Sequence, residues 1–164
     1  MKDHSSYITY IVPLIQCIEE TDEPILELGM GYSTMILHAL CKKNKRQIIS
    51  YENDPKWYKE NLCYRNDYHE INLVTDWSKV PLEKIFWGVV LVDHRPAVRR
   101  RVEALRVRNN AEFVLLHDAE PEIERFYGYS KVYNEFKYKH IYDECKPYTA
   151  VLSNFVDIQQ LMCA

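Results

Sequence analysis

Two acids and two histidines end a pair of apolar runs, in Val92-Asp93-His94-Arg95-Pro96 and Leu116-His117-Asp118-Ala119-Glu120. Carboxylates and imidazoles placed together can take a proton from a weakly acidic hydroxyl, which is a poor nucleophile until it loses that proton. Asp93, His94, His117 and Asp118 are therefore candidate catalytic groups. Asp93 and Asp118 could also give oxygen ligands to Mg²⁺ or Mn²⁺. A second constellation lies earlier, in Glu27-Leu28-Gly29-Met30-Gly31-Tyr32-Ser33-Thr34, and holds two of the four glycines in the chain. Glycines directly after a strand let the backbone turn tightly and approach a ligand closely. Glu52 follows twenty-one residues after Gly31, at the end of the next apolar run, where a carboxylate can accept from both hydroxyls of a ribose. Asn53 adjoins it, and Asp76-Trp77 offers an acceptor for an exocyclic amine beside an indole for stacking. The ligand implied is a nucleoside. Glu27 stands two residues before the first glycine and Thr34 takes the place of a third, so a diphosphate is poorly served and a cation is favoured.

These residues need a framework that puts strand ends side by side. Strands are expected at Pro24–Leu28, Gln47–Glu52, Ile71–Thr75, Gly88–Asp93 and Phe113–His117. Helices are expected at Ser33–Lys42, Pro55–Asp67 and Ala97–Asn109, the last burying Val98, Val102 and Leu105 at i, i+4, i+7. Tyr138–Cys145 and Thr149–Ser153 read as a closing antiparallel pair, and the apolar stretch Tyr7–Ile15 as an N-terminal helix. Unbroken apolar strands alternating with helices predict a parallel sheet covered on both faces, whose ligands bind beyond the carboxyl ends of the strands.

Taken together, the motifs resemble those of class I S-adenosylmethionine-dependent methyltransferases over nearly the whole chain. The resemblance implies a three-layer, doubly wound, Rossmann-like α/β fold of seven strands with the last antiparallel, as one domain over residues 1–164. It implies that Glu27, Gly29, Gly31, Tyr32, Ser33, Thr34, Glu52, Asn53, Asp76, Trp77 and Asp93 hold S-adenosylmethionine. The strand ends also resemble the metal-dependent catechol-type O-methyltransferases. Ala119 stands where that group has a third metal ligand, and Pro96 where it has its lysine. The pattern Asp93, Pro96, His117, Asp118, with Glu122 or Glu124, is similar to plant polysaccharide O-methyltransferases, which directs the expected acceptor to a sugar or glycan hydroxyl.

The sequence also bears on rival classes. No Asn/Asp-Pro-Pro-aromatic motif follows the fourth strand and no Pro-Cys pair occurs, so neither the amino-directed nor the cytosine-directed nucleic-acid methyltransferases are supported. A nicotinamide-dependent oxidoreductase would need a glycine loop friendlier to anions, and a non-catalytic scaffold of the same fold is the third reading. A net charge of −3 in 164 residues gives no general reason to expect nucleic acid or a membrane surface. The longest apolar run, Ile85–Val92, is far shorter than the roughly 20 residues of a bilayer span. Five scattered cysteines without C-x-x-C spacing suggest small packed side chains in a reducing, cytoplasmic setting. Arg95, Arg99, Arg100, Arg101, Arg106 and Arg108 crowd one helix, as a solvated face or, with Arg95 foremost, a contact for an acidic polymer. Six of the thirteen tyrosines fall between Phe126 and Tyr148, suiting either sugar stacking or core filling. The acceptor pocket would be completed by that segment or by a second subunit of a homodimer, and His4–Tyr7 could close over the ligand.

Overall fold

The computed structural model describes residues 9–162, so His4–Tyr7 and Cys163 lie outside the described residues. Seven strands form one sheet: β1 Ile25–Leu28, β2 Ile48–Glu52, β3 His69–Leu73, β4 Trp87–Val92, β5 Ala111–His117, β6 Tyr138–Tyr142 and β7 Thr149–Ser153. Their order is β3-β2-β1-β4-β5-β7-β6, with β1 to β5 pairing in parallel and β7 antiparallel to both neighbours. This is the expected three-layer Rossmann-like arrangement.

Strand alternation divides the core into two. Ile25, Val89, Leu91, Phe113, Leu115 and Val151 face one way, against α1 (Ile11–Glu19), α2 (Tyr32–Cys41) and α7 (Ile158–Met162). Leu26, Leu28, Val90, Val92, Val114 and Leu116 face the other way, against α4 (Ala97–Val107) and α6 (Ser130–Tyr133). The helix α3 (Pro55–Asn61) flanks β2 and β3, and α5 (Glu124–Tyr127) packs on α4. Asp54 caps α3 by accepting from the Lys56 amide, and Pro55 opens the helix with its fixed φ.

Several boundaries differ from the sequence reading. The third strand begins two residues earlier because His69, fully buried, bonds Ser50 at 2.8 Å and His38 at 3.2 Å. The third helix stops at Asn61 and tightens into a 3₁₀ turn, Leu62–Tyr64. Helix α4 buries Arg100, Glu103, Ala104 and Val107, while Val98 is exposed. Its phase follows the polar groups that reach the strand ends rather than the valines. Arg106 donates to the carbonyls of Trp77 and Val80 and to Glu83, and Arg99 pairs with Glu103, so the arginine helix is not simply a solvated face. Cys17 and Cys41 are buried as expected, whereas Cys63 and Cys145 are exposed. No described helix is long and apolar enough to cross a membrane.

The turn after β1 tolerates only glycine at its first step. Gly29 has φ +98°, and a Cβ there would stand 2.6 Å from the Asp93 carbonyl carbon and 2.7 Å from the His94 Cα. Both obstacles are backbone, and the Asp93 amide is itself tied to the Leu28 carbonyl at 2.7 Å. Gly31 is extended, and a Cβ there would meet only Trp57, at 4.0 Å. Gly29→Ala should therefore cost about 2 kcal/mol or more, from strain and displaced backbone, and Gly31→Ala close to nothing in the ligand-free chain. At roughly 2–4 °C per kcal/mol for a chain of this size, thermal unfolding should separate the two variants by at least about 4 °C. Equal melting temperatures would contradict this account of the turn.

Candidate functional site

A crevice of about 480 Å³ lies beyond the carboxyl ends of β1, β2, β4 and β5. One wall is the loop Met30–Ser33 with Glu52, Asp54 and Trp57, and the other carries Asp93, Arg95, Arg100, His117, Asp118 and Tyr127.

The first wall is organised by two buried carboxyls. Glu52 accepts the Met30 amide at 2.7 Å and the Asp54 amide at 2.6 Å, pinning the glycine loop to the end of β2 while its carboxylate borders the crevice. Each oxygen keeps further acceptor capacity, as a ribose-binding carboxylate needs. Glu27 lies deeper. It is fully buried and accepts hydroxyl protons from Ser33 and Thr34, whose Oγ1 also accepts the Gly31 amide at 3.0 Å. Burial pushes the Glu27 carboxyl up to about 7 against these hydrogen bonds. Glu27 therefore shapes the loop from beneath, and Ser33 and Tyr32, not Glu27, meet the crevice.

The adenine-site expectation is redistributed. Asp76 is exposed and caps a 3₁₀ turn through the Ser78 amide, and Trp77 is buried with its ring 4.1 Å from that of His94 and its Nε1 donating to the Arg95 carbonyl. Neither lines the crevice. The indole that does is Trp57, on the first turn of α3, more than a third exposed and facing the side of Gly31 that lacks a side chain. An indole five residues after the acid that ends β2 was the available sequence signal. Asn53 keeps a buried Oδ1 with no hydrogen-bond partner among the described residues.

On the second wall the structure brings Asp93, His117 and Asp118 together and leaves His94 out. The His94 side chain is fully buried between Trp77 and Glu103, with Nε2 3.3 Å from Glu103 Oε2, so it cannot receive a proton from the crevice. The residue that the sequence reading missed is Arg100. Its guanidinium is 2.8 Å from Asp93 Oδ1 and 2.8 Å from Asp118 Oδ2, and it also donates to the carbonyls of Asp93, His94 and His117. Tyr127 donates to Asp118 Oδ2, and Tyr129, fully buried, donates to the His117 carbonyl. The tyrosine segment thus supports the acid pair more than it lines a sugar subsite. Glu122 pairs with exposed Lys146 and Glu124 caps α6 through the Ser130 amide, so neither reaches the cluster. Asp118 holds φ +60°, a left-handed conformation that an Asp tolerates better than most side chains.

Hydrogen-bond accounting fixes the protonation of His117. Thr9 gives its one hydroxyl proton to the Pro147 carbonyl at 2.7 Å, so towards His117 Nε2, at 3.2 Å, it can only accept. Asp93 Oδ1, 3.3 Å from Nδ1, also accepts. Both ring nitrogens must donate, which makes His117 an imidazolium. Burial opposes that charge, but the Asp93 hydrogen bond and the Asp93 and Asp118 charges outweigh it and hold His117 above its usual range. Burial likewise opposes ionisation of Asp93, yet His117 and Arg100 hold it below the usual carboxylate range. The expected role of His117 as a resting base is corrected accordingly. Among the described residues Asp93 Oδ2 and Asp118 Oδ1 accept no hydrogen bond, and Asp118 Oδ1 stands 3.8 Å from His117 Nδ1.

The two carboxylates expected to hold a metal are bridged by Arg100, and His117 Nδ1 faces Asp93.

No known protein family matches the sequence, and no curated protein does. Solved structures do match its fold. A spermidine synthase in complex with the transition-state analogue AdoDATO superposes with TM-score 0.68 at 12% identity, over 98% of this chain and 63% of that one. A human methyltransferase 10 domain containing protein gives 0.60 at 15%, covering 92% of this chain and 80% of that one. The bifunctional kinase-methyltransferase WbdD gives 0.59 at 10%, over 93% of this chain and 40% of that one. This chain therefore spans under two thirds of the synthase and well under half of WbdD. At these identities the shared property is the Rossmann-like methyltransferase fold.

Two titrations follow from the site. Glu27 keeps its proton to about pH 7 in the folded chain but releases it near 4.5 when unfolded, so stability should fall as pH rises from 4.5 to 7 and then level off. The swing is on the order of 3 kcal/mol, and denaturant titrations of wild type and Glu27→Gln across that range should show it only in the wild type. In ¹⁵N spectra at pH 7, both His117 nitrogens should carry protons, and Asp93→Asn should lower the titration midpoint. A neutral His117 at pH 7 would contradict the accounting above.

Proposed function

We propose that the chain is an S-adenosylmethionine-dependent methyltransferase acting on a hydroxyl group, with a sugar or glycan as the acceptor class. The observation that carries this reading is the opposition, across one crevice, of a Glu52-pinned glycine loop and two carboxylates that each keep an oxygen accepting no hydrogen bond among the described residues. The residues fit the cofactor: Gly31 leaves open space beside Trp57, Glu52 offers acceptors for a ribose diol, and Ser33 and Tyr32 border the loop. A diphosphate would instead face Glu52, Asp54, Asp93 and Asp118, and of the two arginines that line the crevice Arg100 is already committed. That balance favours a cation over the nicotinamide alternative. When bound, S-adenosylmethionine supplies a methyl group already activated by a sulfonium.

The chain's own part is orientation and proton removal. Asp93 Oδ2 and Asp118 Oδ1 accept from neighbouring hydroxyls of the acceptor and so set its angle of approach. Asp118 Oδ1 takes the proton of the reacting hydroxyl as that oxygen becomes nucleophilic, while Arg100 and Tyr127 hold Oδ2 still. His117, already an imidazolium, keeps Asp93 ionised. Tyr10 packs edge-on against His117, with ring centroids 5.1 Å apart, and closes the cluster from the α1 side. The fold shared with proteins named as methyltransferases supports the reading at the level of architecture.

Transfer of labelled methyl groups from S-adenosylmethionine to a panel of sugars, catechols and RNA tests it. Labelling of a sugar is expected, and labelling of RNA or catechols alone would overturn the acceptor class. Asp118→Asn should lower transfer by about 10²-fold or more with cofactor affinity nearly unchanged, and Glu52→Gln should weaken cofactor binding about tenfold. Unaltered transfer by Asp118→Asn would remove it as the proton acceptor.

A further inference from the structure

We propose that the Arg100 guanidinium is the resident cation of the acceptor site, filling the place that Asp93, His117 and Asp118 would otherwise give a divalent metal and making the site metal-independent. One ligand atom from each of those three residues lies within 4.8 Å of the others, and two carboxylates with an imidazole form a set that Mn²⁺ or Zn²⁺ takes readily. Here the set is bridged from within the chain.

The bridge is built from α4 by four hydrogen bonds and an ion pair. A guanidinium has five N–H donors. Nε gives one to the His94 carbonyl at 2.7 Å. Nη1 gives its two to the His117 carbonyl at 3.2 Å and Asp118 Oδ2 at 2.8 Å. Nη2 gives one to the Asp93 carbonyl at 3.1 Å and stands 2.8 Å from Asp93 Oδ1 as an ion pair. The side chain is only 7% exposed, and the Tyr127 ring covers the guanidinium at 5.0 Å. Swinging it aside to admit a metal would strip three backbone carbonyls and both acids of these contacts at once. A lysine has three donors and no fork, so it cannot replace them.

The charges agree with this assignment. Two carboxylates face two cations, Arg100 and His117, and the group is neutral. A divalent ion would add two positive charges beside two already present, in a partly dry site where repulsion is weakly screened. The activity this site serves rests on the reading under Proposed function, whereas the cation assignment itself does not.

Mn²⁺ binding, followed by electron paramagnetic resonance and calorimetry on the full chain, tests the assignment without any acceptor. Wild type should show no saturable binding up to millimolar Mn²⁺. Arg100→Ala should acquire a saturable site, at least tenfold tighter than any wild-type binding, that the double variant Arg100→Ala/Asp118→Asn loses. Saturable wild-type binding that Asp118→Asn removes would overturn the proposal, as would a folded Arg100→Ala with no site. If circular dichroism shows Arg100→Ala unfolded, the wild-type titration with its Asp118→Asn control decides alone. Methyl transfer, where detected, should survive EDTA unchanged. A chain that binds S-adenosylmethionine but loses activity with EDTA would overturn the inference and leave the cofactor reading standing, while failure to bind S-adenosylmethionine would overturn only that reading.

Discussion

One buried guanidinium ties the working end of this molecule together. Arg100 reaches from α4 across the tips of β4 and β5, donates to the carbonyls of Asp93, His94 and His117 and to the Asp118 carboxylate, and pairs with the Asp93 carboxylate. Parallel strand ends leave carbonyl groups without partners, and acids placed there repel each other. A single planar cation answers both problems and fixes the spacing of the carboxylates. The imidazolium of His117 and the phenol of Tyr127 complete a neutral, hydrogen-bonded group on which the acceptor wall depends.

The opposite wall is held by an independent device. Gly29 lets the chain turn within van der Waals reach of the β4 end, and Glu52 then draws the Met30 amide down onto β2. Glu27, Ser33 and Thr34 lock the start of α2 from below. Because β1 lies between β2 and β4 in the sheet, the two walls face each other across one strand. The ligand crevice follows from that order.

Much of this was legible in the sequence. Unbroken apolar strands, the glycine pair and the acid at the end of β2 gave the sheet, the loop and Glu52 directly, because each depends on local chain geometry. The antiparallel pair at the C-terminus was likewise visible in two apolar stretches around Lys146-Pro147. What stayed hidden depends on tertiary phase. Six arginines in and beside one helix look alike in sequence, and only the packed orientation of α4 sends Arg100 inward, while Arg95, ahead of the helix, stays at the surface. Asp76-Trp77 carried the residue types of an adenine site, yet Asp76 serves a local cap and Trp77 props His94. The same rule misplaced His94, whose side chain alternates away from that of Asp93 and falls into the layer beneath α4.

What the crevice accepts decides the chemistry of this molecule. Calorimetric titration of the full chain with S-adenosylmethionine, and separately with NAD⁺, measures that directly. Saturable binding of one S-adenosylmethionine per chain, weakened by Glu52→Gln and tighter than NAD⁺, is the predicted result. No binding at millimolar S-adenosylmethionine, or tighter binding of the dinucleotide, would contradict it.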